Sequence, residues 1–158
     1  MAYLVTGGAG FIGSNIVEHL LRRGEKVRVL DNFSTGRREN LSFDVRNAVE
    51  VIEGDIRDVG TCRKAVRGMD YVVHQAALAS VPRSVDDPLL ANDVNATGTL
   101  NLLVASRDAG VKRLVYASSS SVYGDEAGRG DEIDTVTPNS EHMKPNPLSP
   151  YAASKLTG

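Results

Sequence analysis

The chain has 158 residues, 41% of them hydrophobic and 24% charged, and this length allows one sizeable buried core. No uninterrupted apolar run reaches the roughly 18 residues that a membrane-spanning helix needs, and a net charge of −2 supplies no positive field for nucleic acid or anionic lipid. A single cysteine, Cys62, excludes an internal disulfide and a cysteine-rich zinc site. The first residues, MAYLVTGG, lack the features of a signal peptide, so we expect a cytoplasmic protein with no nucleic-acid or membrane partner.

Five short β-rich runs alternate with longer helical patterns along the chain. The runs are AYLVT (2–6), KVRVLD (26–31), VEVIE (49–53), YVVH (71–74) and VKRLVYAS (111–118). Apolar residues at helical spacing occupy 11–21 and recur over 88–109. Three predicted helices end at a glycine that precedes the next strand: Gly24, Gly68 and Gly110. This alternation predicts an α/β fold with a doubly wound, Rossmann-like parallel sheet of strand order 3-2-1-4-5.

A glycine-rich turn, TGGAGFIGS, follows the first predicted strand directly and leads into a helix that starts near Phe11. Gly7, Gly10 and Gly13 are three residues apart, which is the spacing of a dinucleotide-binding turn. Gly7 would permit the tight turn, Gly10 would let a pyrophosphate approach the backbone, and Gly13 would let the helix pack against the strand. Because the helix N-terminus also supplies free N–H donors, this segment predicts a dinucleotide site.

Asp31 ends the second predicted strand, 18 residues after Gly13. A carboxylate at that position can accept hydrogen bonds from both hydroxyls of the adenosine ribose, which favours NAD. It would repel the 2′-phosphate of NADP, although the nearby Arg37 and Arg38 leave NADP open as an alternative.

The third predicted strand is followed by GDIRD. Asp55 and Ile56 of this motif would lie at the edge of the sheet, where an adenine ring would bind. Asp58 is the better candidate for capping the next helix.

Tyr151 and Lys155 are four residues apart in SPYAASK, so they share one helix face if Ser149 caps the helix and Pro150 occupies its first turn. The serine run 118–121 ends the fifth predicted strand. Ligands of a doubly wound sheet bind outside the carboxyl ends of its strands. Strands one, four and five would therefore bring the glycine turn, HQAALAS and the serine run to one crevice, which predicts a catalytic site.

The segment 125–148 is polar, rich in glycine and proline, and without an apolar period. Loops of this length are uncommon in a compact domain and are usually functional or disordered. We interpret the segment as a mobile wall beside a ligand, and an inert surface insertion stays open as the alternative.

Six motifs together resemble the extended short-chain dehydrogenase/reductases, in the branch of the nucleotide-sugar epimerases and dehydratases: TGGAGFIGS, GDIRD, HQAALASVPRS, NATGT, YASSSSVYGD and PNPLSPYAASK. The resemblance covers essentially the whole chain and implies that residues 1–158 form an NAD-binding Rossmann-like domain. Full-length relatives continue with a substrate-binding domain of comparable length. We therefore expect a fragment of a longer chain, truncated before that domain.

The resemblance also implies which side chains take part in catalysis, in NAD binding and in substrate binding. Tyr151 would transfer the proton, and Lys155 would activate the phenol and bind the ribose. Ser119 would be the hydroxyl partner, with Ser118 and Ser120 as its competitors. The residues that would contact NAD are Gly7, Gly10, Phe11, Ile12, Gly13, Asp31, Asn32, Ser34, Gly36, Asp55, Ile56, Gln75, Ala76, Ala77, Tyr151 and Lys155. The candidate substrate contacts are Ser118, Ser119, Ser120, Arg83 and Tyr151.

The residues after Ser119 bear on which of the family's reactions we expect. Family members that eliminate water from the sugar carry an Asp-Glu pair there, and decarboxylating members carry a Glu, whereas this chain has Ser120 and Ser121. Serines supply hydrogen bonds without a second titrating carboxylate. This favours 4-epimerisation of a UDP-hexose through a 4-keto sugar, with UDP-glucose and UDP-galactose or the N-acetylated pair as substrates. The motif SVPRS resembles epimerases of N-acetylated sugars, with Arg83 as a substrate contact or a plain surface cation.

Other readings of the chain stay open. A dehydratase or decarboxylase of the same family is one alternative, and a non-catalytic NAD-binding module is another.

The resemblance suggests that the full-length form is a homodimer, formed through the helix at 88–109 and the helix beginning at Tyr151.

Three further polar residues receive mainly structural interpretations. Asn95 in NATGT would be a buried polar residue, either supporting the site or purely structural. His74 is expected to be a hydrogen-bonded core residue, and Cys62 a small buried hydrophobe. The histidines do not have the spacing of metal ligands, so no metal site is expected.

Overall fold

The structure is a computed structural model that describes residues 1–124 and 138–158. Most of the predicted loop, residues 125–137, lies outside the described residues. One parallel sheet has the strand order β3-β2-β1-β4-β5, which confirms the sequence prediction. Its strands are β1 (Ala2–Thr6), β2 (Lys26–Asp31), β3 (Glu50–Glu53), β4 (Tyr71–His74) and β5 (Arg113–Tyr116).

Helices connect and flank these strands. The α-helices are α1 (Phe11–Arg22), α2 (Phe43–Ala48), α3 (Val59–Val66), α4 (Val81–Asp86), α5 (Pro88–Asn92), α6 (Gly98–Asp108) and α7 (Pro150–Thr157). Short 3₁₀ turns cover Arg38–Asn40 and Ser120–Tyr123, and a π-helical segment covers Asp93–Thr97. Within the described part of the chain, no helix is long and apolar enough to cross a membrane.

The chain divides into two compact units. The first comprises Met1–Ala77 and Thr97–Ala117 and holds the five strands with α1, α2, α3 and α6. The second comprises Leu78–Ala96 and Ser118–Gly158 and holds α4, α5, the second 3₁₀ turn and α7.

The core of the first unit lies on both faces of the sheet. On one face, Val27 and Val29 of β2 pack with Val5 of β1, Val17 of α1 and Leu41. Because successive strand residues point to opposite faces, Leu4 of β1 and Leu30 of β2 are buried on the other side, where α3 packs against β2 and α6. Helices therefore cover both faces, as the doubly wound prediction requires.

Helix ends follow the signals in the sequence. The glycines that end α1, α3 and α6 adopt left-handed φ angles of 75°, 74° and 72°. The side chain of Asp58 caps α3, and the side chain of Ser149 caps α7. These local predictions are confirmed.

Four elements differ from the sequence prediction. The helix predicted over 88–109 contains the π segment, because residues Asp93–Thr97 turn more widely than an α-helix. Helices α2 and α4 were missed, since six residues are too few to show an apolar period. Strand β5 is shorter than the predicted 111–118, because only Arg113–Tyr116 pair with β4.

The two residues expected in the core are buried there. His74 is fully buried, and its ring nitrogens lie 2.6 Å from Thr6 Oγ1 and 3.0 Å from Thr99 Oγ1. Cys62 is also fully buried, and burial raises the pKa of its thiol to about 11. Cys62 is therefore a neutral thiol near pH 7 and a poor nucleophile.

Candidate functional site

The glycine turn after β1 depends on missing side chains. Gly7 has a φ of 67°, and a Cβ atom there would lie 2.7 Å from the nitrogen of Ala76. A Cβ atom on Gly13 would lie only 2.1 Å from the oxygen of Gly7, so α1 begins directly against the turn rather than against the strand. Gly10 is less crowded, with its Cβ position 3.2 Å from the same oxygen. The turn thus presents bare backbone at the start of a helix.

The start of α1 is open to a ligand. Gly10 is the N-cap, and no side chain of the described residues caps the helix. The side chains of Phe11 and Ile12 in the first turn are 83% and 61% exposed. Because the first N–H groups of a helix have no partner within it and lie at its positive end, this arrangement can bind a phosphate.

Asp31 joins the glycine turn to the loop after β2. Its Oδ2 accepts a hydrogen bond from the Ala9 nitrogen at 2.9 Å, and its Oδ1 accepts one from the Phe33 nitrogen at 2.8 Å. A Cβ atom on Gly36 would lie 2.9 Å from Asp31 Oδ1, so the loop closes tightly over the carboxylate. Each oxygen still has a lone pair for a further donor, such as a ribose hydroxyl.

Asp55, after β3, forms the centre of a polar network. Its Oδ1 accepts from the backbone nitrogen and Nε of Arg57 at 2.9 and 3.0 Å. Its Oδ2 accepts from Arg57 Nη2 at 2.9 Å and from Asn32 Nδ2 at 2.8 Å, and Asn32 Oδ1 accepts from the Ser34 nitrogen at 3.0 Å. These hydrogen bonds, chiefly from the Arg57 side chain, lower the pKa of Asp55 to about 2. The network therefore holds together the loops after β2 and β3.

The Asp55 network is expected to make stability sensitive to acid. Its pKa falls from an ordinary value of 3.8 to about 2, so the ionised carboxylate stabilises the fold above about pH 4. That stabilisation is lost as the pH falls from about 4 to about 2. We expect Asp55→Asn to lower the free energy of unfolding at neutral pH and to flatten its acid dependence, measured by urea unfolding at a series of pH values. Asp86→Asn, at an exposed position, is the control, and an unaltered acid profile in Asp55→Asn would contradict this account.

The residues after β4 lie beside the glycine turn. The Gln75 nitrogen donates to the Thr6 oxygen at 3.0 Å, and the Ala76 nitrogen donates to Thr6 Oγ1 at 3.3 Å. Ala77, the next residue, is half-buried. The contact between Ala76 and Gly7 brings this segment directly to the turn.

Helix α7 carries Tyr151 and Lys155 one turn apart. Its start is as the sequence predicts, with Pro150 in the first turn and Ser149 Oγ accepting from the Ala152 nitrogen at 3.1 Å. The side chain of Lys155 is 4% exposed, and burial lowers its pKa to about 8. At pH 7 the ammonium form therefore still predominates.

The serine run packs against α7 within the second unit. Ser118 Oγ donates to the backbone oxygen of Lys155 at 3.3 Å. Ser119 caps the 3₁₀ turn that follows, because its Oγ accepts from the Ser121 nitrogen at 3.2 Å, and the same Oγ donates to Ser121 Oγ at 3.1 Å. Ser120 is exposed.

Two buried serines hold the main chain of Tyr151. Ser84 Oγ accepts from the Tyr151 nitrogen at 3.0 Å, and Ser154 Oγ donates to the Tyr151 oxygen at 2.8 Å. Asn95, which is 1% exposed, donates to Ser154 Oγ at 2.9 Å and is fixed by both the nitrogen and the oxygen of Leu78. Sequence reasoning did not single out Ser84 or Ser154, because their partners become visible only in the fold.

Ile56 and Arg83 have contrasting environments. Ile56 is 4% exposed and packs on Gly98, where a Cβ atom would lie 2.7 Å from its Cδ1. Arg83 is exposed on α4, and its backbone nitrogen donates to Ser80 Oγ at 3.3 Å.

Across residues 1–124 and 138–158, no group of three histidine, cysteine or acidic side chains could hold a metal ion.

Comparison with known proteins places the chain among its relatives. Residues 3–158 match the NAD dependent epimerase/dehydratase family. The chain belongs to this family. A UDP-glucose 4-epimerase of Mycolicibacterium smegmatis is 45% identical over 161 residues, covering 100% of this chain and 49% of the relative. A dTDP-glucose 4,6-dehydratase of Mycobacterium tuberculosis is 41% identical over 158 residues, covering 98% of this chain and 46% of the relative.

Solved structures agree with this family membership. The crystal structure of a Thermus thermophilus UDP-glucose 4-epimerase in complex with NAD has a TM-score of 0.85 and 48% identity to this chain. The match covers 98% of this chain and 47% of the other. The chain thus spans about half the length of the relatives it matches. Both epimerases and dehydratases occur among these relatives.

Proposed function

We propose that the whole protein is an NAD-dependent 4-epimerase of a UDP-hexose, which interconverts UDP-glucose and UDP-galactose or their N-acetylated counterparts. The observation that carries the proposal is the pair on α7, in which the buried cation Lys155 follows Tyr151 by one turn. The serine segment 119–121, which packs in the same unit, contains no carboxylate. The helix and this segment together provide the phenol for proton transfer and no carboxylate as a second acid.

The first unit has groups that fit a dinucleotide. The three glycines of the turn leave the backbone bare, and the uncapped start of α1 suits a pyrophosphate. Asp31 retains lone pairs for the ribose hydroxyls. The guanidinium of Arg38 is ion-paired with Glu53 and stacks on Phe33, so its charge is already matched by a carboxylate. The free lone pairs of Asp31 and the ion pair of Arg38 with Glu53 both support NAD rather than NADP as the coenzyme.

The proposed chemistry requires an ionised tyrosine. When bound, NAD would accept a hydride from C4 of the sugar and return it to the other face of the ketone. Tyr151 would remove the proton from the sugar 4-hydroxyl and give it back. A free phenol has a pKa of about 10, so ionising it near pH 7 requires about 4 kcal/mol. One cation about 4 Å from a phenolate contributes about 4 kcal/mol at an effective dielectric near 20, and we propose Lys155, one turn further along α7, as that cation.

The serine segment supports epimerisation over dehydration. Ser119 would hydrogen-bond the sugar oxygen that Tyr151 deprotonates. Elimination of water needs a further acid/base, and serine hydroxyls do not titrate near neutral pH. Dehydration of a nucleotide sugar is the second candidate, because a dTDP-glucose 4,6-dehydratase is among the relatives at 41% identity.

The test offers UDP-galactose, UDP-N-acetylgalactosamine and dTDP-glucose separately to the purified protein with NAD, and identifies the products by chromatography and mass spectrometry. We expect a UDP-sugar product of unchanged mass with the opposite configuration at C4. A product lighter by one water would support the dehydratase instead. NAD binding in calorimetry without turnover of any of these sugars would support a non-catalytic binding module.

A further inference from the structure

We infer that Ser84, to which neither the sequence motifs nor the proposed chemistry gives a role, is a positioning residue for Tyr151. The inference rests on the proposed function, in which Tyr151 transfers the proton. Ser84 lies in α4 and is fully buried. Its Oγ accepts from the Tyr151 nitrogen at 3.0 Å and donates to the Val81 oxygen at 2.7 Å. The hydroxyl therefore both accepts and donates a hydrogen bond, which fixes its orientation.

The start of α7 explains why this contact matters. The first N–H groups of a helix lack acceptors within the helix, so each needs a partner from elsewhere. Pro150 has no N–H group, and Ser149 provides acceptors for the third and fourth residues of the helix. The donor that remains in this turn is the Tyr151 nitrogen. Ser84, 67 residues away in sequence, supplies its acceptor.

The peptide group on the other side of Tyr151 is held in a similar way. Ser154 Oγ donates to the Tyr151 oxygen at 2.8 Å and accepts from Asn95 Nδ2 at 2.9 Å. Ser154 and Asn95 are 3% and 1% exposed. Both peptide groups that flank the Tyr151 Cα atom are thus bonded to buried side chains, which limits movement of the point from which the phenol projects.

Loss of the Ser84 hydroxyl would leave the Tyr151 N–H group without this acceptor. The first turn of α7 would then move to find another partner, and the phenol would move with it. A misplacement of about 1 Å can lower a reaction rate by about 10²-fold, because proton transfer needs the donor and acceptor at hydrogen-bond distance. Sugar and NAD binding depend on many other groups, so the effect is expected in kcat rather than in KM.

The principal experiment compares two buried serines in steady-state assays of UDP-galactose epimerisation. Ser84→Ala is expected to lower kcat by about 10- to 100-fold, with little change in KM or in NAD affinity. Ser106→Ala is the matched control, because Ser106 Oγ is also buried but has no hydrogen-bond partner among the described residues. Its kcat is expected to equal that of the unmodified protein. A normal kcat in Ser84→Ala would overturn the inference and leave the proposed function intact.

A double substitution separates positioning from a general structural effect. In the Tyr151→Phe background, Ser84→Ala is expected to cause no further loss of residual turnover, because its effect passes through the phenol. A further loss as large as that in the unmodified background would overturn the inference. Full turnover in Tyr151→Phe alone would instead overturn the proposed function.

Hydrogen exchange of the Tyr151 amide tests the contact without any assay of activity. We expect Ser84→Ala to accelerate this exchange, and Ser106→Ala to leave it unchanged. Equal exchange rates in the two variants would overturn the inference, whatever the reaction proves to be.

Discussion

Substitution of Tyr151 by phenylalanine is expected to lower kcat for UDP-galactose epimerisation by about 10³-fold, within the range that a general acid–base group contributes. The phenol oxygen is the atom proposed to remove the proton from the sugar, and phenylalanine lacks only that atom. NAD affinity, measured by calorimetry on the same preparation, is expected to be unchanged, because the pyrophosphate and the adenosine ribose are assigned to the first unit.

The control for this experiment is Tyr3→Phe. Tyr3 lies on β1, where its ring stacks on Tyr71 with centroids 5.1 Å apart. The control removes the same atom from a residue with no role in the proposed chemistry, so activity should be retained. Comparable turnover in Tyr151→Phe and the unmodified protein would refute the assignment of Tyr151.

Gly13→Ala is expected to abolish measurable NAD binding and to lower the free energy of unfolding by about 3 kcal/mol. The added Cβ atom would lie 2.1 Å from the Gly7 oxygen and 2.8 Å from the Gly8 Cα atom. Both are backbone atoms that cannot rotate away, so α1 would have to separate from the glycine turn. Calorimetry with NAD and urea unfolding measure the two effects.

Gly24→Ala distinguishes this collision from the ordinary cost of replacing a glycine. Gly24 has a φ of 75°, and a Cβ atom there would meet nothing within 4 Å. Its replacement should cost about 1 to 2 kcal/mol from the left-handed backbone alone, with NAD binding unchanged. If Gly13→Ala bound NAD normally and unfolded no more easily than Gly24→Ala, the assignment of the glycine turn to NAD binding would be wrong.

The sheet and most of its helices could be predicted because their signals are local. Each strand is a short β-rich run, and helix ends such as Gly24 and Asp58 are set by the residue that stands there. The strand order followed from the right-handed crossover rule for parallel sheets. The start of α7 was predictable in the same way, because Ser149 and Pro150 act on their own helix.

Contacts between distant residues could not be predicted from such signals. Ser84 and Tyr151 are 67 residues apart, and no pattern around Ser84 shows that its hydroxyl meets α7. The spacing of the glycine turn indicated that Gly13 needs no side chain, but the atom that excludes one, the Gly7 oxygen, emerged only from the folded turn. The position of Asp31 at the end of the second strand predicted a ribose ligand, but its amide partners depend on how the following loop closes.

The two hydrogen bonds of Asp31 link coenzyme preference to the architecture of the loop. A protein engineer who replaced this carboxylate with a neutral side chain, in order to admit a phosphorylated ribose, would also release the Ala9 and Phe33 amides that it holds. A change in coenzyme selectivity would therefore be accompanied by a disturbed glycine turn. A successful exchange of coenzyme requires new acceptors for both amides, and hence redesign of residues 32–36 as a unit.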